Sequence, residues 1–249
     1  MSINSEKDLE SLRRIGNIVA RCLAYMHSKL EPGITTFELD QLGGELLTLH
    51  GAVSAPKLTY NFPGYTCISV NEEAAHGIPG PKILKAGDLV NIDVSAELDG
   101  YFADTGGSAI IPPRSALHMQ ICDVAKKALE NAMLAARAGA KINQIGRAIE
   151  SEAKRNGLTV IRNLGSHGVG RALHEEPQFI PGYYDKKDRR LLKENQVITI
   201  EPFISSGAHE VYDTGDGWTL TTNPGIFTAQ YEHTMVITKG KPLIMTLVS

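Results

Sequence analysis

Four carboxylates and one imidazole stand where side chains that merely solvate a surface would be out of place. Asp93 interrupts the apolar run Val90-Asn91-Ile92-Asp93-Val94, and Asp104 follows Tyr101-Phe102-Ala103. Glu201 closes Val197-Ile198-Thr199-Ile200, and Glu232 sits within Ala229-Gln230-Tyr231-Glu232-His233. His167 lies in the glycine-rich Ser166-His167-Gly168-Val169-Gly170. A carboxylate in an apolar strand is costly to bury unless it is paired or binds metal. Several uncompensated acids in one place would also repel one another. Two divalent first-row ions remove both problems, because carboxylate and imidazole donors suit them. Ions about 3.5–4 Å apart can activate water and polarise a carbonyl together. Read alone, Asp93 and Asp104 are equally well two surface acids on a hairpin, and Asp99 is a turn residue.

The elements that must position these groups follow from periodicity. Val90–Gly106 reads as two antiparallel strands joined at Leu98-Asp99-Gly100, with Asp104 at the end of the returning strand. Residues 5–30 have helical character, with Ser5 as cap and Asp8 as its reciprocal partner. Ile15, Ile18, Val19, Cys22 and Met26 form its apolar stripe, and Pro32-Gly33 stops it. Thr36 is expected to cap a second helix ending near His50, with Leu39, Leu42, Leu46 and Leu47 on its buried side. Residues 52–63 read as irregular, with Tyr60, Phe62 and Tyr65 as core or pocket wall, residues 116–138 as a third helix, and residues 229–237 as one strand carrying Glu232. His76-Gly77-Ile78-Pro79-Gly80 is a loop of turn residues, where a histidine is a better chemical candidate than one on a helix. Ser166–Gly170 resembles a phosphate loop only superficially, since no Lys-Ser/Thr follows.

The chain also repeats itself. Gly33 and Gly51, which bracket the second helix, recur as Gly139 and Gly157 at one offset of 106. Each half reads long helix, glycine turn, second helix, glycine, strands, and Glu201 becomes the second-half counterpart of Asp93. The expectation is a single catalytic domain over residues 1–249 with an internal pseudo-repeat of about 1–125 and 126–249, and an active site between the halves.

Bulk properties exclude other classes. A formal net charge of −3 offers no basic surface for nucleic acid. No stretch approaches the ~20 apolar residues that span a membrane, and the N-terminus has no apolar signal core. Three cysteines, Cys22, Cys67 and Cys122, form no disulfide pattern and fit a reducing compartment. The expected location is cytoplasmic.

The ordered set NIDV…ADTG, GSHGVG, HEEP, TIEP and AQYEHT resembles the type I methionine aminopeptidases, small enzymes of the pita-bread fold. That resemblance implies an α+β architecture of two pseudo-symmetric halves, antiparallel sheet inside and helices outside. It implies two divalent ions, of Co, Mn, Fe or Zn. Asp104 and Glu232 would bridge them, Asp93 would chelate one, and His167 with Glu201 would hold the other. Glu201 would also be the proton acceptor. His76 would contact the scissile amide nitrogen, and His174 the substrate carbonyl. The first-residue pocket would be walled by Pro56, Thr59, Phe62, Cys67, Leu173 and Trp218. Many bacterial members have Cys, Tyr and Phe where Pro56, Thr59 and Leu173 stand, and His-Gly where Phe102-Ala103 stands. The implied activity is removal of N-terminal methionine from newly synthesised polypeptides at the ribosome, before a small second residue, by a monomer. Alternatives on the same fold are an aminopeptidase of different first-residue specificity, including Xaa-Pro, and a non-catalytic binding relative.

Overall fold

The computed structural model describes residues 2–248. Five helices, α1 (Glu6–Ser28), α2 (Thr36–Leu49), α3 (Ala55–Tyr60), α4 (Ala116–Ala135) and α5 (Asn143–Arg155), accompany short antiparallel sheets. The first sheet is built on the hairpin Leu89–Leu98/Tyr101–Ile110, flanked by Cys67–Val70 and Val53–Ser54. A five-stranded sheet runs Leu243–Ile244, His233–Val236, Val197–Ile200, Gly165–Gly168, Glu175–Pro181. A third joins Thr228–Gln230, Phe203–Ser205 and Thr159–Val160, and a fourth joins Tyr212–Asp213, Leu220–Thr221 and Glu73–Ala75.

Helix α1 buries the expected stripe Ile15, Ile18, Val19, Cys22 and Met26, each side chain contributing on the order of 2 kcal/mol. With α2 it covers the hairpin sheet: Leu39 and Leu47 join Val90, Ile92 and Val94 in one core cluster. Leu42 and Leu46 are only half-buried. Helices α4 and α5 do the same for the later strands, packing Ile121, Leu129, Ile145 and Ile149 against Ile198, Ile200 and Met235.

Several element ends differ from expectation. Ser5 does cap α1, accepting from the Asp8 N–H at 3.1 Å, but the Asp8 carboxylate reaches back to the Asn4 N–H at 3.0 Å. The cap of α2 is Thr35, not Thr36. Thr35 and Glu38 form the reciprocal box, while the buried Thr36 hydroxyl donates to the Gly80 carbonyl. Residues 55–60, expected to be irregular, form α3, capped by Ser54, started by Pro56 and ended by Asn61 at φ 57°. Helix α4 stops at Ala135, because the Ala138 and Gly139 N–H groups bond the Thr238 and Leu192 carbonyls instead of continuing the ladder.

The hairpin turn is a tight two-residue bend. Leu98 pairs with Tyr101, and Asp99 and Gly100 both take positive φ, 54° and 80°. That backbone matches strand twist and favours Asp-Gly. The returning strand continues to Ile110, so Asp104 lies within it rather than at its end.

Candidate metal centre

Register brings the two hairpin acids together. Asp93 pairs with Gly106 and Ser95 with Asp104, so Asp93 and Asp104 are diagonal neighbours on one face. The expected single strand over residues 229–237 is broken. Thr228–Gln230 and His233–Val236 belong to different sheets, and Glu232 occupies the seam. Its N–H donates to the Gly106 carbonyl at 2.9 Å, and its own carbonyl accepts from the Thr105 hydroxyl at 2.8 Å. The Thr234 hydroxyl accepts from the Asp104 N–H at 2.9 Å and donates to the Asp104 carbonyl at 2.8 Å. Glu201 follows directly after its strand, where its N–H donates to the Ser166 hydroxyl at 2.9 Å.

His167 Nε2 lies 3.5 Å from Glu201 Oε1 and 3.9 Å from Asp104 Oδ2. His167 Nδ1 lies 2.9 Å from the Gly168 carbonyl. A carbonyl only accepts, so Nδ1 carries the proton and Nε2 offers its lone pair to the acids. Burial pushes the His167 pKa down to about 3, helped by His174, so the ring is neutral at pH 7. Donor atoms of Asp104, His167 and Glu232 all lie within 4.8 Å of one another.

Burial raises all four carboxyl pKa values. Asp93 goes up to about 6, its hydrogen bond to Asp104 only partly offsetting burial. Asp104 is pushed well up by burial, then by Glu232 and Asp93. Glu201 and Glu232 rise for the same reason, burial first and neighbouring acids second. Four buried side-chain atoms among the described residues have no hydrogen-bond partner, and two of them, Asp104 Oδ1 and Glu232 Oε1, are carboxylate oxygens of this set. Such orphans are rare. Both belong to the acids expected to bridge. An all-oxygen-and-imidazole donor set, a histidine with its lone pair free, and two orphaned carboxylate oxygens fit divalent ions.

Asp93, Asp104, Glu201 and His167 line a cavity of about 400 Å³. Phe62 and Trp218 meet edge-to-face in its wall, centroids 5.2 Å apart, beside Cys67 and Leu173. Burial, together with the surrounding acids, pushes the Cys67 thiol up, so it is a neutral soft wall rather than a nucleophile. His76 and His174 line the same cavity, and the His174 ring lies 4.1 Å from that of His167. His76 holds a positive φ of 55°. The next residue must be glycine: a Cβ on Gly77 would stand 2.2 Å from the Ile68 carbonyl, and the Gly77 N–H is tied to Ser69 at 3.0 Å.

One expected wall residue is misplaced. Thr59 faces solvent and does not line the cavity; Tyr60 does. In α3, Pro56 and Tyr60 are one turn apart and share the inward face, which a reading of this segment as irregular could not reveal. Asn163, Gln178 and Phe179 also line the cavity without having been singled out. Nor were the supports Thr199, Gln230 and Thr234. Gln230 Nε2 donates to Glu232 Oε2 at 3.0 Å and accepts at Oε1 from Asn91 at 2.9 Å. Their sequence signal was polarity inside apolar strands and membership of the TIEP and AQYEHT runs.

The model of metallopeptidase family M24 matches residues 10–239. Methionine aminopeptidase 2 of Bacillus subtilis is 49% identical over 247 residues, covering 99% of each chain. The crystal structure of methionine aminopeptidase from Thermotoga maritima superposes with a TM-score of 0.94 at 31% identity, covering 99% of each chain. The prolidase from Pyrococcus furiosus, 21% identical, gives a TM-score of 0.77 over 99% of this chain and 66% of its own, a likeness of fold alone.

Proposed function

The chain belongs to metallopeptidase family M24, has its pita-bread fold, and on that premise we propose that it removes N-terminal methionine from polypeptides. The observation that carries the reading is the buried carboxylate–imidazole set, with its two orphaned oxygens, four members of which line a soft apolar cavity. Asp93, Asp104, His167, Glu201 and Glu232 would hold two divalent ions, of Co, Mn, Fe or Zn. Such ions supply Lewis-acid polarisation of a carbonyl and a water acidic enough to react at neutral pH.

The chain's own residues do the rest. Phe62, Cys67, Leu173 and Trp218 take the thioether side chain, because rings and sulfur are polarizable partners. The His76 ring orients the scissile amide nitrogen. His174 donates to the substrate carbonyl and stabilises the charge that develops on its oxygen. Glu201 accepts the proton of the attacking water and passes it toward the leaving amine. A small second residue is preferred because His76 and His174 narrow the cavity there. On the same reading, the chain is one catalytic unit of two related halves, acting as a cytoplasmic monomer on polypeptides emerging from the ribosome.

The deciding experiment is turnover of Met-Ala-Xaa against Leu-Ala-Xaa and Xaa-Pro peptides with each of the four metals. Clear preference for Met-Ala-Xaa is expected. Equal turnover of Leu-Ala-Xaa would end the methionine assignment and leave the metallopeptidase assignment standing.

A further inference from the structure

We propose that Tyr60 is a positioning residue for His174, its phenol donating to His174 Nδ1 and so making Nε2 the protonated nitrogen that serves the substrate carbonyl. The inference rests on the role given to His174 above. Tyr60 Oη and His174 Nδ1 are 2.6 Å apart. A phenol can donate to an imidazole lone pair, and a ring that serves the substrate carbonyl from Nε2 keeps its lone pair on Nδ1, facing that phenol. A neutral imidazole that accepts at one nitrogen donates at the other. This is the opposite arrangement to His167, where the Gly168 carbonyl fixes the proton on Nδ1. The two adjoining rings, tilted by 44°, thus hold complementary tautomers, one offering a lone pair and one a proton.

The bond also joins two parts of the chain that line the cavity. Tyr60 ends α3, which Ser54 caps and the left-handed Asn61 terminates. His174 lies far along the chain, on the loop after Gly170. The two rings are tilted against each other with centroids 5.6 Å apart. His174 is therefore held from α3, so its aim depends on that helix as well as on its own loop.

Tyr60→Phe tests this, since the ring stays and the residue is 43% exposed, leaving the fold intact. Long-range ¹⁵N–¹H spectra of histidine-labelled protein report the tautomer of each ring without any turnover, and His174→Gln identifies the His174 signals. In the wild type, Nε2 should be protonated and Nδ1 bare. In Tyr60→Phe, that pattern should collapse toward a mixture. With Met-Ala-Xaa as substrate, kcat should fall roughly tenfold at little-changed KM, less than the ~10²–10³-fold cost of deleting an oxyanion donor itself. A wild-type His174 protonated at Nδ1, or a Tyr60→Phe kcat equal to wild type, overturns the proposal. Failure of every metal form to cleave Met-Ala-Xaa would sink the proposed function instead, and the spectra would still decide the tautomer.

Discussion

Thr199 binds Glu201 and His167 into one unit: its hydroxyl donates to Glu201 Oε1 at 3.2 Å and accepts the His167 backbone N–H at 3.1 Å. Two candidate ligands on neighbouring strands are thus aimed by one buried side chain. Thr199→Val keeps the shape and deletes both bonds. The His167 N–H, left buried without a partner, should cost about 1–3 kcal/mol. Metal affinity should fall about 10–100-fold, as for other outer supports of ligands. Thermal unfolding and metal titration measure the two losses separately.

Glu201→Gln keeps the side chain's size and removes its basicity. In protein shown by elemental analysis to be metal-loaded, kcat should drop by about 10²–10⁴-fold, the range for losing a general base. Near-normal kcat in such a protein would refute the proton-accepting role.

Gly106→Ala attacks Glu232 indirectly. A Cβ there would stand 2.5 Å from Gln230 Oε1 and 2.7 Å from Nε2. Gln230 is buried and bonded to both Asn91 and Glu232, so it can yield only by breaking those bonds. Overpacking should cost about 1–3 kcal/mol, with weaker metal binding alongside. A variant of wild-type melting temperature and metal affinity would show that Gln230 does not aim Glu232.

The Asp8 carboxylate ties three segments together. It accepts from the Tyr101 hydroxyl and from Arg171, each at 2.7 Å, and from the Asn4 N–H. The Tyr101 hydrogen bond, then the Asn4 bond, hold its pKa down to about 2 from the ordinary 3.8, with Arg171 adding to them. A depressed folded pKa means stability that is fully present above the unfolded value and lost as pH falls through the folded one. Asp8→Asn should therefore be less stable than wild type at neutral pH, and the gap in urea midpoint should close between about pH 4 and about pH 2. A gap independent of pH would assign Asp8 a purely steric role.

How much of this was legible in the sequence depended on whether a signal was local. Asp93 stood out because a carboxylate breaks an apolar run, and Asp99-Gly100 announced its own turn. Glu201 was visible as the polar end of a buried strand. Tyr60 could be read only as core or pocket wall, and Thr59 was placed in the pocket beside it, because α3 spans only residues 55–60, too few for periodicity to separate an inward residue from its outward neighbour. Thr35 lost to Thr36 as the expected cap because adjacent threonines offer the same chemistry, and only the Glu38 contact distinguishes them. The seam at Glu232 was hidden because its cause is tertiary. Thr228–Gln230 and His233–Val236 pair with different partners, which an unbroken polar–apolar alternation does not disclose.

The bonds between Asp104 and Thr234, and between Thr105 and Glu232, join residues well over a hundred positions apart. Contacts of such separation bear the largest loop-closure cost and form late on the way to the native state. If the ion-holding pocket closes after the folding transition state, bound metal leaves the folding rate unchanged and expresses its stabilisation as slower unfolding, so the loaded protein is distinguished less by how it folds than by how long it persists.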